Sequence, residues 1–157
     1  MAGTVTELKQ QAIDFAQGFV DASGMDLHVA VTKEEPEGIT MAFGGSDARL
    51  FIGKGGQCLD ALQYLTTLAV LRRSNTKLHI TYDADNYRLR RENTLLRMAE
   101  ELAEQVIATG QEAVLDPMTP AERRIVHQAL VDRPGVRTYS EGEEPDRYLV
   151  IAPMMEE

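Results

Sequence analysis

Hydrophobic residues recur every three or four positions at the start of the chain and then at every second position. Residues 4–22 therefore predict an amphipathic helix whose apolar face is formed by Val5, Leu8, Ala12, Phe15 and Phe19. Alternation over residues 26–33 and again over 39–43 predicts two strands joined by a turn. After Gly44-Gly45 breaks the second strand, Ser46 is the expected N-cap of a short helical turn ending at residue 52.

Helical periodicity returns after the glycines at positions 53–56. It predicts a helix that runs to about Arg73, with apolar positions at Leu59, Leu62, Leu65, Leu68 and Ala69. Alternation at Leu78, Ile80 and Tyr82 predicts a third strand. The first half of the chain is thus predicted as helix, strand, strand, short helix, loop, helix, strand.

The second half follows a short polar segment at residues 83–86 that contains no flexible low-complexity stretch. We expect a long helix over 87–109 with Gly110 as its C-terminal stop. A strand at 112–115 precedes a second helix, for which Thr119, Pro120 and Glu122 form a strong start signal. A final hairpin is predicted, with strands at 137–140 and 148–151. The predicted modules are residues 1–83 and 84–157.

The stretch Gly53-Lys54-Gly55-Gly56 is the most specific chemical signal in the first half. Glycines allow positive φ and close approach of a ligand, and a helix start beyond them attracts anions, as does a lysine. These features suit a sugar–phosphate backbone. A plain glycine-rich turn is the competing interpretation. A Walker A loop is excluded because Gly55 stands where Ser or Thr is required.

In the second half, Arg123 and His127 are four residues apart and share one face of the predicted helix. Such a pair is weak evidence alone, because helical histidines are often structural. Its surroundings are more specific, namely the strings 116–127 and 138–147. An EF-hand starting near Asp83 is rejected, because Tyr87 and Arg88 occupy positions where it needs a ligand and a glycine.

Together these segments, with Ile52–Gln57, Leu59–Leu65 and Tyr87–Glu92, resemble the Jag family, also called KhpB or EloR, over about residues 5–152. The resemblance implies an α+β chain, with a type II KH domain (a three-stranded sheet covered by helices) followed by a small R-three-H domain. It implies a cytoplasmic protein that binds single-stranded RNA and is not an enzyme. It also implies a small stand-alone KH partner and control of cell elongation, division or sporulation. The N-terminal Jag domain of many members is not seen in this sequence.

The candidate RNA-binding residues come from the loop, from the family strings and from their neighbours. They are Ile52, Gly53, Lys54, Gly55, Gly56, Leu59, Tyr87, Arg88, Arg91, Arg123, Arg124 and His127. The loop is expected to hold the RNA backbone, while Ile52 and Leu59 supply an apolar, base-facing surface. For each arginine, pairing with a neighbouring glutamate such as Glu92 or Glu122 is the alternative to RNA contact.

Charge is the main argument against nucleic-acid binding, since 16 basic and 25 acidic residues give a net charge of −9. A protein-interaction adaptor that dimerises through its KH domain therefore stays open as the alternative. The single Cys58 excludes an internal disulfide and is expected to be core-facing or partly buried. We expect no cofactor, no metal and no membrane insertion. Acceptance of single-stranded DNA is left open.

Overall fold

In the computed structural model, which describes residues 4–72 and 74–154, helices accompany two separate three-stranded sheets. The chain divides into a first unit, Met1–Arg88, and a second unit, Leu89–Glu157, each with its own sheet and hydrophobic core. The architecture is α+β. The division falls between Arg88 and Leu89, whereas the sequence places the boundary between residues 83 and 84.

The first unit contains three strands and three complete helices in the predicted order. These are α1 (Val5–Ser23), β1 (His28–Glu35), β2 (Gly38–Gly44), α2 (Ala48–Ile52), α3 (Gln57–Leu71) and β3 (His79–Ala84). The sheet order is β1-β2-β3, with β2 antiparallel to β1 and parallel to β3. Arg73, the predicted end of α3, lies outside the described residues.

Burial of one helical face and of the central strand builds the core of the first unit. Helix α1 begins with a capping box formed by Thr4 and Glu7, and it buries Leu8, Ala12, Ala16 and Val20. The rings of Phe43 and Tyr82 pack edge to face, with centroids 5.0 Å apart. Such buried aromatic pairs contribute about 0.5–1.5 kcal/mol beyond their buried area.

Three local expectations in the first unit are wrong. Helix α2 has Asp47 rather than Ser46 at its N-cap, because the Ser46 hydroxyl donates instead to Asp26 Oδ2 at 2.6 Å. That bond, together with one from the Ser46 amide, lowers the pKa of Asp26. A register shift between Val31 and Lys33 interrupts the alternation of β1. Cys58 is exposed, rather than core-facing or partly buried.

The second unit consists of helices packed on an antiparallel sheet. Its elements are the body of α4 (Tyr87–Thr109), β4 (Ala113–Val114), α5 (Pro120–Leu130), β5 (Val136–Glu141) and β6 (Tyr148–Pro153). The strand order is β4-β6-β5, so β6 is central and β5 is an edge strand. Leu95, Ala99, Ala103 and Val106 form the buried face of α4.

Both predicted helix signals of the second unit are confirmed. Gly110 adopts a left-handed φ of 67° and donates its amide to Val106 O at 2.8 Å, which ends α4. Thr119 and Glu122 form a reciprocal capping box at the start of α5, with Pro120 in the first turn. Within the described residues, no helix is long and apolar enough to cross a membrane.

Candidate nucleic-acid interface

The glycine-rich loop forms a tight turn between α2 and α3. Gly53 ends α2 with a φ of 75°, residues Lys54–Gly56 make one 3₁₀ turn, and α3 follows at once. Gly55 and Gly56 have φ values of 60° and 81°. Lys54 and Gly55 are exposed at the tip, whereas Gly56 is buried. The turn therefore presents one lysine and one bare backbone segment to solvent.

The three glycines have different physical roles in the turn. A Cβ on Gly53 would lie 2.6 Å from the Cys58 sulfur, and one on Gly56 would lie 2.8 Å from Cε1 of Tyr87. A Cβ on Gly55 would meet nothing within 4 Å. Gly53 and Gly56 thus let neighbouring side chains pack against the turn. Gly55 is favoured only by its positive φ, and the space above it is open.

The start of α3 adds a positive field to this turn. Gly56 is the N-cap residue and has no side chain to accept a hydrogen bond from the first amides of the helix. Unpaired amides at a helix start and the helix dipole together attract anions. Because exposed Lys54 lies within the same turn, the loop has the charge and the backbone geometry to hold a phosphate group.

Ile52 and Leu59, which flank the loop, differ from the expectation that they face a ligand. Ile52 is 5% exposed and Leu59 has no exposed surface, because both belong to the core of the first unit. Their side chains support the loop from below. Leu50, two residues before Ile52 on α2, is instead strongly exposed beside the loop. Leu50 is not among the residues predicted from the sequence, although its place off the apolar face of α2 is a usable signal.

Tyr87 and Arg88 lie close to the loop and to the start of α3. The Tyr87 ring approaches Gly56, and it packs against the core of the first unit. Arg88 donates from Nε to the Tyr82 carbonyl at 2.7 Å and from Nη2 to Asp60 Oδ1 at 2.9 Å. These contacts fix α3 relative to the end of β3.

Gln63 takes part in the same network at the outer edge of β3. Its Oε1 accepts both the Tyr82 amide at 2.8 Å and Arg88 Nη2 at 3.0 Å. The peptide groups of Tyr82 on this edge are therefore hydrogen-bonded to side chains of α3 and α4.

Arg123 in the second unit also differs from the expectation of an exposed contact. It is only 8% exposed, and Nη1 donates to the carbonyls of Met118 at 2.6 Å and Arg147 at 3.3 Å. Its Nη2 forms an ion pair with Glu144. The guanidinium thus joins the start of α5 to the loop between β5 and β6.

The other predicted residues of α5 are exposed. Arg124 and His127 are three residues apart and share a helix face. His127 Nδ1 lies 2.5 Å from the hydroxyl of Thr138 on β5. Arg91 on α4 pairs with Glu122 through Nε at 2.7 Å, as the alternative interpretation expects. The structure therefore brings His127 and Thr138 together, and Arg124 shares the helix face of His127. Arg91 and Arg123 hold α5.

Comparison with known proteins agrees with the division of the chain into two units. Residues 93–153 match the R-three-H domain family, so the second unit defines the chain as an R-three-H-domain protein. The chain is 40% identical over 146 residues to the RNA-binding protein KhpB of Clostridium symbiosum, covering 92% of this chain and 66% of that protein. It is 39% identical over 145 residues to that of Bacillus subtilis, covering 91% and 69%. The chain belongs to the Jag/KhpB family.

A third relative shows how much longer some of these proteins are. The RNA-binding protein KhpB of Lactiplantibacillus plantarum is 40% identical over 113 residues, which cover 72% of this chain and 35% of that protein. The chain therefore spans about two thirds of the first two relatives and about one third of this one.

Proposed function

We propose that this protein binds single-stranded RNA in the cytoplasm and regulates transcripts, without catalysing a reaction. The relatives are named as RNA-binding proteins, which supports this class of ligand. The single observation that carries the proposal is the exposed Lys54-Gly55 tip at the uncapped start of α3. The regulated process is proposed to be cell elongation, division or sporulation.

The first unit is proposed to contain a type II KH domain that covers residues 1–83. Its element order and its mixed three-stranded sheet support this assignment. A KH domain uses a G-x-x-G loop to hold the backbone of about four nucleotides. Lys54 and the amide of exposed Gly55 would contact phosphates, whereas the amide of buried Gly56 donates to the Gly53 carbonyl within the turn. Gly53 would shape the turn, and exposed Leu50 would face the bases.

An R-three-H domain over residues 84–157, which contains the second unit, is proposed to extend the footprint through Arg124 and His127. Both are exposed on one face of α5, and Arg124 is a full positive charge able to bind a phosphate bidentately. Arg91 and Arg123 are proposed to position α5. Ile52, Leu59, Tyr87 and Arg88 are proposed to hold the loop in shape from within the first unit.

The test is direct binding of a fluorescent, unstructured RNA of about 20 nucleotides at about 100 mM salt. The Lys54→Asp/Gly55→Asp variant places two carboxylates at the tip, where the open space above Gly55 accepts a side chain. We expect its Kd to rise at least about tenfold, because charge-assisted contacts contribute about 1.5–3 kcal/mol each.

Two matched variants separate charge from backbone strain. Lys54→Asn/Gly55→Asn has nearly the same shape without the negative charges, and we expect it to lose much less affinity. Gly24→Asp places an aspartate at a φ of 67° with open space around it, at the end of α1, and we expect native binding. Equal binding by native protein and the double aspartate variant, with both folded by circular dichroism, would remove the loop from the site.

The alternative is an adaptor that pairs with another KH protein, with RNA incidental. It is favoured by exposed apolar residues on α3, namely Tyr64 at 63%, Leu65 and Leu68. A cavity of about 570 Å³ adjoins them, lined in part by Leu68, Leu71 and Arg72. RNA that co-purifies raises the ratio of absorbance at 260 nm to that at 280 nm. If the protein is an adaptor that dimerises, we expect the absorbance ratio of RNA-free protein. We also expect the mass in solution to fall to that of one chain in the Leu65→Lys/Leu68→Lys variant.

A further inference from the structure

The outer face of the second sheet carries exposed side chains on its two edge strands that the proposed site does not use. Strand pairing aligns Val114 of β4, Val150 of β6 and Tyr139 of β5. Val114 is 66% exposed and Tyr139 is 38% exposed, with buried Val150 between them. Because successive side chains in a strand point to opposite faces, this row lies opposite the core residues Leu149 and Ile151.

Both aromatic residues of positions 89–157, Tyr139 and Tyr148, are on this outer face. Neither belongs to the core of the second unit. Tyr148 pairs with Glu141, two residues along from the pair of Tyr139 with Val150, so the tyrosines are diagonal neighbours about 7–8 Å apart. A three-stranded sheet whose tyrosines lie on the side away from its core resembles the RNA-binding sheets that stack bases on aromatic side chains.

Arg137 adds a cation to the same face. Its guanidinium carbon is 5.8 Å from the centre of the Tyr139 ring, within the range of a cation–π interaction. We define the outer aromatic face as Val114, Arg137, Tyr139 and Tyr148. We propose that this face binds one or two bases of the same single-stranded RNA, by stacking on Tyr139 beside Arg137. This inference rests on the proposed RNA-binding function.

The charged groups on the outer aromatic face determine which part of the RNA can lie against it. The Tyr139 hydroxyl donates to Glu112 at 3.4 Å, and Glu141 is exposed on the same face. These carboxylates repel phosphates, so the face suits an uncharged base better than a backbone. The phosphates would follow the Arg137 side.

The position of β5 connects this face with the proposed contacts on α5. Thr138 lies between Arg137 and Tyr139 in the sequence, yet its hydroxyl contacts His127 on the opposite side of the strand. Because β5 is an edge strand, an RNA chain that passes over this edge reaches both sets of residues. The outer aromatic face and His127 thus lie on the two sides of the same edge strand.

The test compares Tyr139→Leu with Tyr139→Phe in RNA-binding titrations at several salt concentrations. Stacking contributes about 1–3 kcal/mol per base, so we expect Tyr139→Leu to bind about 5- to 150-fold more weakly. The slope of log K against log salt concentration should be the same for Tyr139→Leu as for the native protein, because stacking releases no counterions. Tyr139→Phe keeps the ring and should retain native affinity. Tyr64→Leu removes an exposed tyrosine of the first unit and is the matched control.

A measurement on the native chain complements the variants. RNA containing 4-thiouridine is crosslinked by near-ultraviolet light, and adducts are mapped by mass spectrometry after trypsin cleavage. We expect adducts in the peptide 138–147, which contains Tyr139. Native RNA binding with no adduct there, and with no effect of Tyr139→Leu, would overturn this inference and leave the proposed function standing. No RNA binding by native protein would overturn both.

Discussion

At the scale of single residues, Tyr82 shows how a buried polar group is accommodated. Its hydroxyl lies 2.8 Å from that of Thr66, and Thr66 donates its one proton to the Leu62 carbonyl at 2.8 Å. The Tyr82 hydroxyl must therefore be the donor. Burial raises the pKa of the Tyr82 phenol above its ordinary value. The neutral phenol is thus part of the packed core.

This pKa shift predicts a loss of stability in alkali. The phenol of an unfolded chain ionises near pH 10. The folded chain keeps its proton to higher pH, so the contribution to stability is complete well below about pH 10 and is lost as the pH rises through the folded pKa. We expect the free energy of unfolding, from urea titrations, to fall between about pH 9 and pH 11.

Tyr82→Phe is the control for this prediction. It should cost about 0.5–1.5 kcal/mol at pH 8, the net value of one hydrogen bond, and it should show a smaller decline in alkali. The pKa of Tyr139 is also raised, chiefly by desolvation. Because Tyr139 is present in both proteins, its contribution to the pH dependence of stability cancels when the two are compared. An identical alkaline decline in the two proteins would contradict the assignment.

At the scale of elements, two consecutive arginines of α5 lie on different faces of the helix and have different roles. Arg123 points into the unit and bonds to two carbonyls and Glu144, whereas Arg124 is exposed. A buried guanidinium with several acceptors contributes to stability, because its removal leaves those acceptors unpaired. An exposed one contributes to binding a polyanion and little to stability.

We therefore predict opposite effects for the same substitution at these neighbouring positions. Arg123→Gln should lower the stability of the second unit by about 2–4 kcal/mol, measured by urea unfolding and by hydrogen exchange of α5 amides. Arg124→Gln should change stability by less than about 0.5 kcal/mol. It should weaken RNA binding and reduce the salt slope by about 0.7, the value of one phosphate contact on a single strand. The reverse assignment of effects would refute this division of roles.

The elements also show what the sequence can and cannot predict. The bounds of α4 and the capping box of α5 follow from local periodicity and local hydrogen bonds, and both are confirmed. The N-cap of α2 depends on Asp26, twenty residues before Ser46, and the burial of Leu59 and Arg123 depends on packing between elements. These are tertiary contacts, and a linear pattern does not contain them.

At the scale of the whole molecule, the net charge of −9 limits how RNA is bound. Long-range repulsion weakens non-specific attraction of a polyanion and leaves affinity to a few local contacts. We count Lys54, Arg124 and Arg137 as the exposed cations of the proposed surfaces. The same repulsion should make the protein selective for strands that fit those contacts.

This predicts a shallow salt dependence. With about three to five phosphate contacts, a plot of log K against log salt should have a slope between about −2 and −3.5. Lys33→Gln changes an exposed lysine outside the proposed surfaces, where it pairs with Glu35, and should leave the slope unchanged. A slope near −7, which corresponds to about ten contacts, would require a much larger basic surface than the one proposed.

The hydrogen bonds of Gln63 and Arg88 with Tyr82 have a consequence for the protein in a crowded cell. Strand β3 is at the edge of its sheet, where free peptide groups would invite a strand from another molecule to pair. At Tyr82 both the amide and the carbonyl are already occupied by side chains of the same chain. An incoming strand would have to displace them, so this edge resists self-association into extended sheets.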